Sequence, residues 1–187
     1  RFKAGLNTNP STHSIWFRIP ISHLVSAFLP PPPVPVSQGL IAMYTADSWR
    51  LAESPAAASW MDLSGAGNHV TEIGGTTISV ARPVGAPAYI YGAQTATLRF
   101  PQGILPSAQY TLFYVARYNG ATRGRIFQGV STNWYSGLWM NTAGSAFHGD
   151  TCGWITSTDD LHGSDWVLGS DRSNSFRSNG VDRTTNA

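Results

Sequence analysis

From residue 39 onward, short runs of apolar or alternating residues recur along the chain, separated by Gly, Pro, Asn and Asp. Runs of this length with such boundaries are typical of β-strands joined by turns. The pattern predicts ten strands, at residues 40–45, 77–80, 95–100, 110–117, 125–130, 136–140, 145–148, 166–170, 175–178 and 181–184. The only helix candidate, residues 52–59, is interrupted by Pro55.

Two of these segments carry more specific signals. In residues 110–117, Tyr, Leu, Tyr and Ala alternate with Thr, Phe, Val and Arg, so both faces are largely apolar. Such a strand is expected inside a sheet and covered on both sides. The pair Asn179-Gly180 between two short runs predicts a tight hairpin. Ten short strands with almost no helix predict an all-β fold, an antiparallel two-sheet sandwich or jelly roll.

The composition supports strands and excludes several classes of protein. Glutamate occurs only at Glu53 and Glu72 and lysine only at Lys3, so strong helix formers are scarce. The single cysteine, Cys152, excludes an intrachain disulfide. The apolar stretch at residues 15–29 is interrupted by polar residues and proline, well short of the roughly 20 residues that span a bilayer. No membrane span is therefore expected.

The positive charge is concentrated near the N-terminus. Residues 1–38 carry three basic residues and no acidic one, whereas the remainder carries nine basic and ten acidic residues. No dense patch of Lys and Arg is available to neutralise a run of phosphates. Nucleic acid is therefore a poor candidate for a partner.

Residues 1–36 are interpreted as an extended, proline-rich arm that precedes a body at residues 37–187. Four consecutive prolines favour polyproline II, which suits a semi-rigid linker or a docking strap. A retained remnant of a signal peptide is a further interpretation. The apolar side chains of the arm need burial, on a partner or on the arm's own sheet edge. The predicted docking residues are Trp16, Phe17, Phe28, Pro30, Pro31, Pro32 and Pro33.

The most specific stretch of sequence is GLIAMYTADS at residues 39–48 followed by WMDLSGAGNH at 60–69. It resembles the opening of laminin-G-like domains of the concanavalin A-like lectin/glucanase superfamily. Residues 110–118, 125–129 and 176–181 resemble later strands of that family, in the same order. The resemblance implies an antiparallel two-sheet jelly roll over residues 37–187. The family continues beyond the hairpin, so its last strands would have to come from a longer polypeptide, a neighbouring chain or the arm.

The turn at residues 62–68 has two interpretations. Asp62 and Ser64 can accept backbone N–H groups, and Gly65 and Gly67 permit positive φ. The turn is therefore expected to satisfy its own hydrogen bonds. Asp62 and Asn68 are weak candidates for Ca²⁺ ligands, because only one carboxylate is local. No cofactor is otherwise expected.

Catalysis is not expected. Glycoside hydrolysis needs two carboxylates around the scissile bond, and the retaining glucanases of the superfamily carry them as Glu-x-Asp-x-x-Glu. Neither glutamate of this chain lies in such a pattern, and Asp159, Asp160 and Asp165 belong to a polar loop. A thiol nucleophile at Cys152, with His148 nearby in sequence, is the weaker alternative to a small structural side chain. The sequence predicts a protein that is not an enzyme.

Recognition is the alternative to catalysis. Aromatic residues with polar tips cluster in Gly-rich sequence between residues 133 and 154, as suits sugar rings and protein hot spots. The ligand-binding candidates are Trp134, Tyr135, His148 and Trp154. Some of these rings could instead pack between the sheets. Alternation places Trp134, Tyr135 and Trp154 at the surface and Trp139 and Trp166 inside.

Two functions follow, with an enzyme that cleaves polysaccharide as a third. The first is a non-catalytic extracellular module that binds carbohydrate or a glycoprotein. The second is a structural subunit of a larger surface assembly, such as a filament, cell wall or virion, anchored by its N-terminal arm. Exposed aromatic residues suit both.

Overall fold

The described part of the chain is all-β. The computed structural model describes residues 2–8, 11–17, 38–50, 58–106, 109–121, 123–149, 152–157, 161–162 and 166–186. These contain seventeen strands, one 3₁₀ turn at Ala46–Ser48 and no α-helix. Every strand pair is antiparallel. The predicted all-β, antiparallel architecture is confirmed at this level.

The strands are short, as expected from the spacing of turn residues. In chain order they are β1 (Phe2–Thr8), β2 (Ser11–Phe17), β3 (Trp49–Arg50), β4 (Ser59–Trp60), β5 (Glu72–Gly74), β6 (Ile78–Ala81), β7 (Tyr89–Gly92), β8 (Thr97–Arg99), β9 (Thr111–Ala116), β10 (Phe127–Gln128), β11 (Trp134–Trp139), β12 (Thr142–His148), β13 (Gly153–Trp154), β14 (Leu161–His162), β15 (Val167–Arg172), β16 (Ser175–Ser178) and β17 (Val181–Asp182).

The chain divides into two compact units, Arg1–Gly39 and Leu40–Ala187. In the first unit, β1 and β2 form a hairpin with Phe2 opposite Phe17 and Thr8 opposite Ser11. The sequence analysis did not anticipate this pairing within the arm. Of the predicted docking residues, Trp16 and Phe17 lie on β2, and the others lie outside the described residues.

The core of the second unit is built from two larger sheets. One has the order β10-β11-β12-β13, with β14 also pairing β12, and the other has the order β17-β16-β15-β9. Alternate residues of their strands meet in one apolar cluster, as in a β-sandwich. Its fully buried members include Leu138 of β11, Val167 of β15 and Phe176 of β16.

The ring of Tyr114 crosses this core from β9. Its hydroxyl lies 3.0 Å from Ser136 Oγ on β11. A Cβ atom added at Gly137 would overlap that hydroxyl, and one added at Gly169 would overlap the ring. The two glycines therefore leave room for one large side chain that joins both sheets.

The prediction that β9 is covered on both faces is wrong. Tyr114 and Ala116 are buried, whereas Phe113 is 69% and Val115 62% exposed. The reason is that β9 ends its sheet and packs on the core with only one face. Apolar residues on both faces of a strand do not by themselves specify that both faces are covered.

The predicted strand at residues 40–45 is also absent. The Asp62 turn engages this segment instead: Met43 N–H donates to Asp62 Oδ1, and Ile41 C=O accepts from the Asn68 side-chain amide. Met43 C=O also accepts from Leu63 N–H at 2.8 Å, so the turn, through one side chain and one backbone group, replaces a strand ladder as the partner of Met43. Most of the helix candidate, residues 52–57 of 52–59, lies outside the described residues, and Ser59 belongs to β4.

Within the described residues, no helix is long and apolar enough to span a membrane.

Candidate functional site

The predicted binding residues separate onto opposite faces of β11 and β12. Trp134 lies directly opposite His148, and Tyr135 lies opposite Phe147. Successive side chains of a strand point to opposite faces of its sheet. Trp134 and His148 therefore lie on the core side, whereas Tyr135 and Phe147 lie on the outer side. Trp134, Tyr135 and His148 were predicted from the sequence to belong to one ligand-binding group.

On the core side, four side chains form a chain of contacts that we name the buried network: Trp134, Tyr110, Asp171 and His148. Trp134 Nε1–H donates to the Tyr110 hydroxyl at 3.0 Å, and that hydroxyl donates to Asp171 Oδ1 at 3.0 Å. His148 Nε2 lies 3.2 Å from Asp171 Oδ1. His148 is 2% exposed and Asp171 0%, so the network links β12 to β15 inside the core.

Oxygen atoms face both ring nitrogens of His148. Nε2 faces the Asp171 side chain, and Nδ1 lies 3.1 Å from the carbonyl oxygen of Ser173. Both partners can accept a hydrogen bond, so the protonated ring, with hydrogen on both nitrogens, fits this environment. Burial alone would lower the pKa of His148, but the hydrogen bond and charge of Asp171, with the Ser173 carbonyl, raise it overall.

His148, predicted as a ligand-binding residue, is thus enclosed on the core side of the sheet. Burial raises the pKa of Tyr110, and the Asp171 charge adds to that effect, so Tyr110 remains a hydrogen-bond donor. Cys152 is exposed, and its thiol lies 3.8 Å from the carbonyl oxygen of Ser173. The thiol therefore contacts a backbone carbonyl oxygen. A carbonyl oxygen cannot act as the base that an activated thiol needs at hydrogen-bond distance.

On the outer side, four rings form a second group that we name the outer ring cluster: Tyr135, Trp139, Phe147 and Trp154. Tyr135 stacks on Trp139 at 5.7 Å and on Phe147 at 6.3 Å between ring centroids. Trp154 packs edge-on against the other three rings, at 5.3 to 6.1 Å. These separations and tilts are those of favourable aromatic pairs.

A cation and an amide border the outer ring cluster. The guanidinium carbon of Arg125 lies 4.9 Å from the Tyr135 ring centroid, and Arg125 Nη2 donates to Asn133 Oδ1 at 2.8 Å. Asn133 is exposed and Arg125 is half-buried. The cluster therefore combines flat apolar faces with groups that can hydrogen-bond a ligand.

The exposure of individual rings differs from the predictions. Tyr135, expected at the surface, is 1% exposed because the other three rings and Arg125 cover it. Trp139, expected inside, lies on the outer side and is half-buried. Trp166, also expected inside, directly precedes β15 and is 42% exposed. The Arg117 guanidinium packs over its ring. Phe147 was not predicted as a member of the site. Its position in the outer ring cluster follows only from the strand register that places it opposite Tyr135.

The candidate Ca²⁺ ligands form a closed turn. Both oxygens of Asp62 accept protein donors, namely the backbone N–H groups of Met43, Ser64 and Asn68 and the Ser64 hydroxyl, at 2.8 to 3.0 Å. Burial raises the pKa of Asp62, but these hydrogen bonds outweigh burial and lower it overall. The described residues contain no group of three His, Cys, Asp or Glu side chains that could hold a metal ion.

A second surface feature was not predicted from sequence. The outer face of the four-stranded sheet holds an open concavity of about 420 Å³. Phe113 and Leu168 form its apolar side, and Arg172, Arg177 and Asp182 form its charged side. Arg177 and Asp182 lie 3.7 Å apart, so they partly neutralise each other.

Comparison with known proteins assigns no family to this chain. It matches no protein-family model, no curated protein and no solved structure at a significant level. The outer ring cluster and the buried network therefore carry the functional proposal.

Proposed function

We propose that residues 37–187 form a non-catalytic, extracellular or surface-associated recognition module that binds carbohydrate through the outer ring cluster. The observation that carries this proposal is that Trp139, Phe147 and Trp154 remain partly exposed on the side of the sheet away from the core. Sugar rings present apolar C–H faces, which pack on aromatic rings, and hydroxyl groups, which need polar partners. Arg125 and Asn133 stand beside the cluster and can supply those partners.

The fold proposed for this module is a laminin-G-like jelly roll. Two antiparallel sheets around one core support it, and so does the closed turn built on Asp62 in the motif at residues 60–69. The Asn179-Gly180 turn also has the positive φ values that a tight hairpin requires, 51° and 80°. A carbohydrate-binding domain of this kind uses its sheets as a rigid support for surface side chains.

The absence of catalysis is proposed from the positions of the acidic groups. Glu72 forms a surface ion pair with Arg99 at 3.4 Å, and Asp171 is enclosed in the buried network. Among the described residues, neither stands with a second carboxylate across an open cleft, as glycoside hydrolysis requires. Glu53, Asp159, Asp160 and Asp165 lie outside the described residues.

The proposal is tested by screening the full chain on an array of plant, microbial and animal glycans. Binding of the strongest responder is then measured by calorimetry. Trp154→Ala should abolish measurable binding, because it removes a ring that contacts the other three. Trp166→Ala is the matched control, since it deletes an exposed indole that directly precedes β15 of the other sheet, and it should bind like the wild type.

Two outcomes contradict carbohydrate binding at this site. One is an array without any response from a folded wild-type chain, and the other is equal loss of binding in both tryptophan variants. Release of new reducing ends from the bound polysaccharide would instead establish an enzyme. A variant in which Glu72 is replaced by Gln would then test that carboxylate directly.

The second candidate function, a structural subunit of a surface assembly, is favoured by a different observation. β9 lies at the end of its sheet with exposed apolar side chains, and such an edge attracts pairing partners. In this proposal the segment with Trp16, Phe17 and Phe28, together with Pro30, Pro31, Pro32 and Pro33, docks on a neighbouring subunit. A chain that binds no glycan but assembles reversibly would favour this function.

A further inference from the structure

The edges of the two larger sheets are protected unequally. Three edges are strands of only two residues each: β10, β13 and β17. β17 also carries Asp182, which pairs with Arg177. Short and charged edges resist pairing with other chains. The fourth edge, β9, spans six residues, Thr111–Ala116, and contains no charge, proline or glycine.

The backbone of β9 presents hydrogen-bonding groups to this edge. Leu168 N–H donates to Asn179 Oδ1 at 2.8 Å, and Leu168 C=O accepts from Asn179 N–H at 2.9 Å. Both bonds lie on the side of β15 that is away from β9. Leu168 lies directly opposite Val115. The two residues therefore form a non-hydrogen-bonded pair, in which the backbone N–H and C=O groups point away from each other. The N–H and C=O of Val115, and of Phe113 two residues before it, therefore point away from β15. Among the described residues, no strand pairs with that side of β9.

The side chains beside these backbone groups are apolar and exposed. Phe113 is 69%, Val115 62% and the neighbouring Leu168 52% exposed, on one face of the sheet. Isolated apolar residues at a surface are common, but here three adjacent ones border an unpaired edge. The outward backbone groups and the exposed side chains of Phe113 and Val115 thus lack cover within the described residues.

We propose that β9 pairs with β9 of a second copy of this chain, antiparallel about a two-fold axis at Tyr114. In this register each residue of β9 lies opposite a suitable residue of the second β9. Phe113 of each copy lies opposite Val115 of the other, an aromatic and β-branched pair that stabilises antiparallel strands. Arg117 lies opposite Thr111, so the two arginines stand at opposite ends of the pairing. The result is one continuous eight-stranded sheet with an isologous interface.

This inference is independent of carbohydrate binding. The outer ring cluster belongs to the five-stranded sheet, whereas β9 belongs to the four-stranded sheet. A chain that pairs through β9 without binding glycan, or binds glycan as a monomer, separates the two proposals.

The test measures the mass of the full chain by sedimentation across a dilution series. The wild type should associate to twice its 20.1 kDa and dissociate on dilution. Val115→Lys should raise the dissociation constant of the dimer by about tenfold or more, because it removes an apolar pair and places a charge at the edge. The matched control is Val181→Lys, at a valine on the opposite edge that is 51% exposed against 62% for Val115, and it should dimerise like the wild type.

Hydrogen exchange of the wild type supplies a second measurement that does not depend on a variant folding. The amides of Phe113 and Val115 should be protected at high concentration and exchange quickly on dilution. A chain that is monomeric throughout overturns the proposal, and so does protection of these amides that is unchanged by dilution, which would show a strand from within the same chain. Equal dimerisation of both lysine variants, or assembly into open-ended oligomers, also overturns it.

Discussion

The buried network and the outer ring cluster occupy opposite faces of the same two strands. Trp134 and His148 face the core, whereas Tyr135 and Phe147, one residue along, face outward. The inner group is held by directional contacts between 3.0 and 3.3 Å to a single buried carboxylate. The outer group is held by ring packing and a cation above one ring.

Because of this difference, we expect adjacent residues of β11 and β12 to have separate roles, the inner ones in stability and the outer ones in recognition. Removing a member of the buried network leaves a charge or a donor without its partner inside the core, which is costly. Removing a member of the outer ring cluster exposes ring surface that was already partly in water. We therefore expect inner substitutions to reduce the free energy of unfolding, and outer substitutions to reduce binding.

The largest effect is expected from Asp171→Ala. The substitution leaves the His148 imidazolium and the Tyr110 hydroxyl without their shared acceptor and should lower the free energy of unfolding by about 3–5 kcal/mol. Urea denaturation followed by tryptophan fluorescence measures the loss. Asp171→Asn keeps the shape and one acceptor, so it should cost less. Equal stability of Asp171→Ala and the wild type would refute the structural role of the network.

The pH dependence of stability gives the next effect. The pKa of His148 is raised above 6.5 in the folded chain, so folding binds its proton more tightly. The stabilisation is fully present below pH 6.5 and is lost as the pH rises through the folded pKa. Urea midpoints of the wild type should fall over that range.

The control for this titration is His148→Gln, which has no titrating ring. It should be less stable than the wild type at low pH, and the difference should shrink as the pH rises. A difference that is constant with pH would mean that the pKa of His148 is the same in the folded and unfolded chains, and a difference that grows with pH would mean that folding lowers that pKa.

A matched pair of tryptophan substitutions compares the two faces directly. Trp134→Phe removes the donor to Tyr110 as well as ring area and should cost about 1–3 kcal/mol. Trp154 is half-buried like Trp134, but Trp154→Phe changes ring packing in the outer ring cluster and leaves the bond between Trp134 and Tyr110 intact, so it should cost less than Trp134→Phe. Thermal unfolding of both variants ranks them, and the reverse order would contradict the assignment of inner and outer faces.

The smallest effect is expected from Arg125→Ala. The cation above Tyr135 and the hydrogen bond to Asn133 are near the surface, so their loss should cost about 0.5–1 kcal/mol. Glycan affinity should fall more clearly than stability, because Arg125 borders the proposed binding surface. Arg177→Ala, which breaks a surface ion pair on the other sheet, should leave that affinity unchanged.

Local signals in the sequence were sufficient for much of the fold. The strand at residues 175–178 has the predicted bounds, and the Asn179-Gly180 hairpin follows from the φ values that these two residues tolerate. Alternation along a strand assigns each residue to one of the two faces of the sheet. It does not show which of those faces is covered. The exposed face of β9 and the buried ring of Tyr135 both illustrate this limit.

The candidate site was predicted only in part, because long-range contacts build it. Tyr110 and Asp171 are 61 positions apart, and no local pattern joins them. Tyr135 and Trp154 were predicted together from their composition, but their partner Phe147 is identified only by strand register. Sequence reasoning found the aromatic residues of the site, whereas the sheet determines which of them face one another.

The glycines around Tyr114 have a consequence for how this sequence can change over time. A side chain at Gly137 or Gly169 would occupy the space that the tyrosine ring already fills. Gly169 can therefore grow only if Tyr114 becomes smaller, and Ser136 then loses the hydroxyl that it contacts. Gly137 also has a φ of 82°, which side chains rarely adopt, so it should remain glycine. Among descendants of this chain, Tyr114, Ser136 and Gly169 should change together, and a selection that randomises them should recover compensated sets and few single replacements.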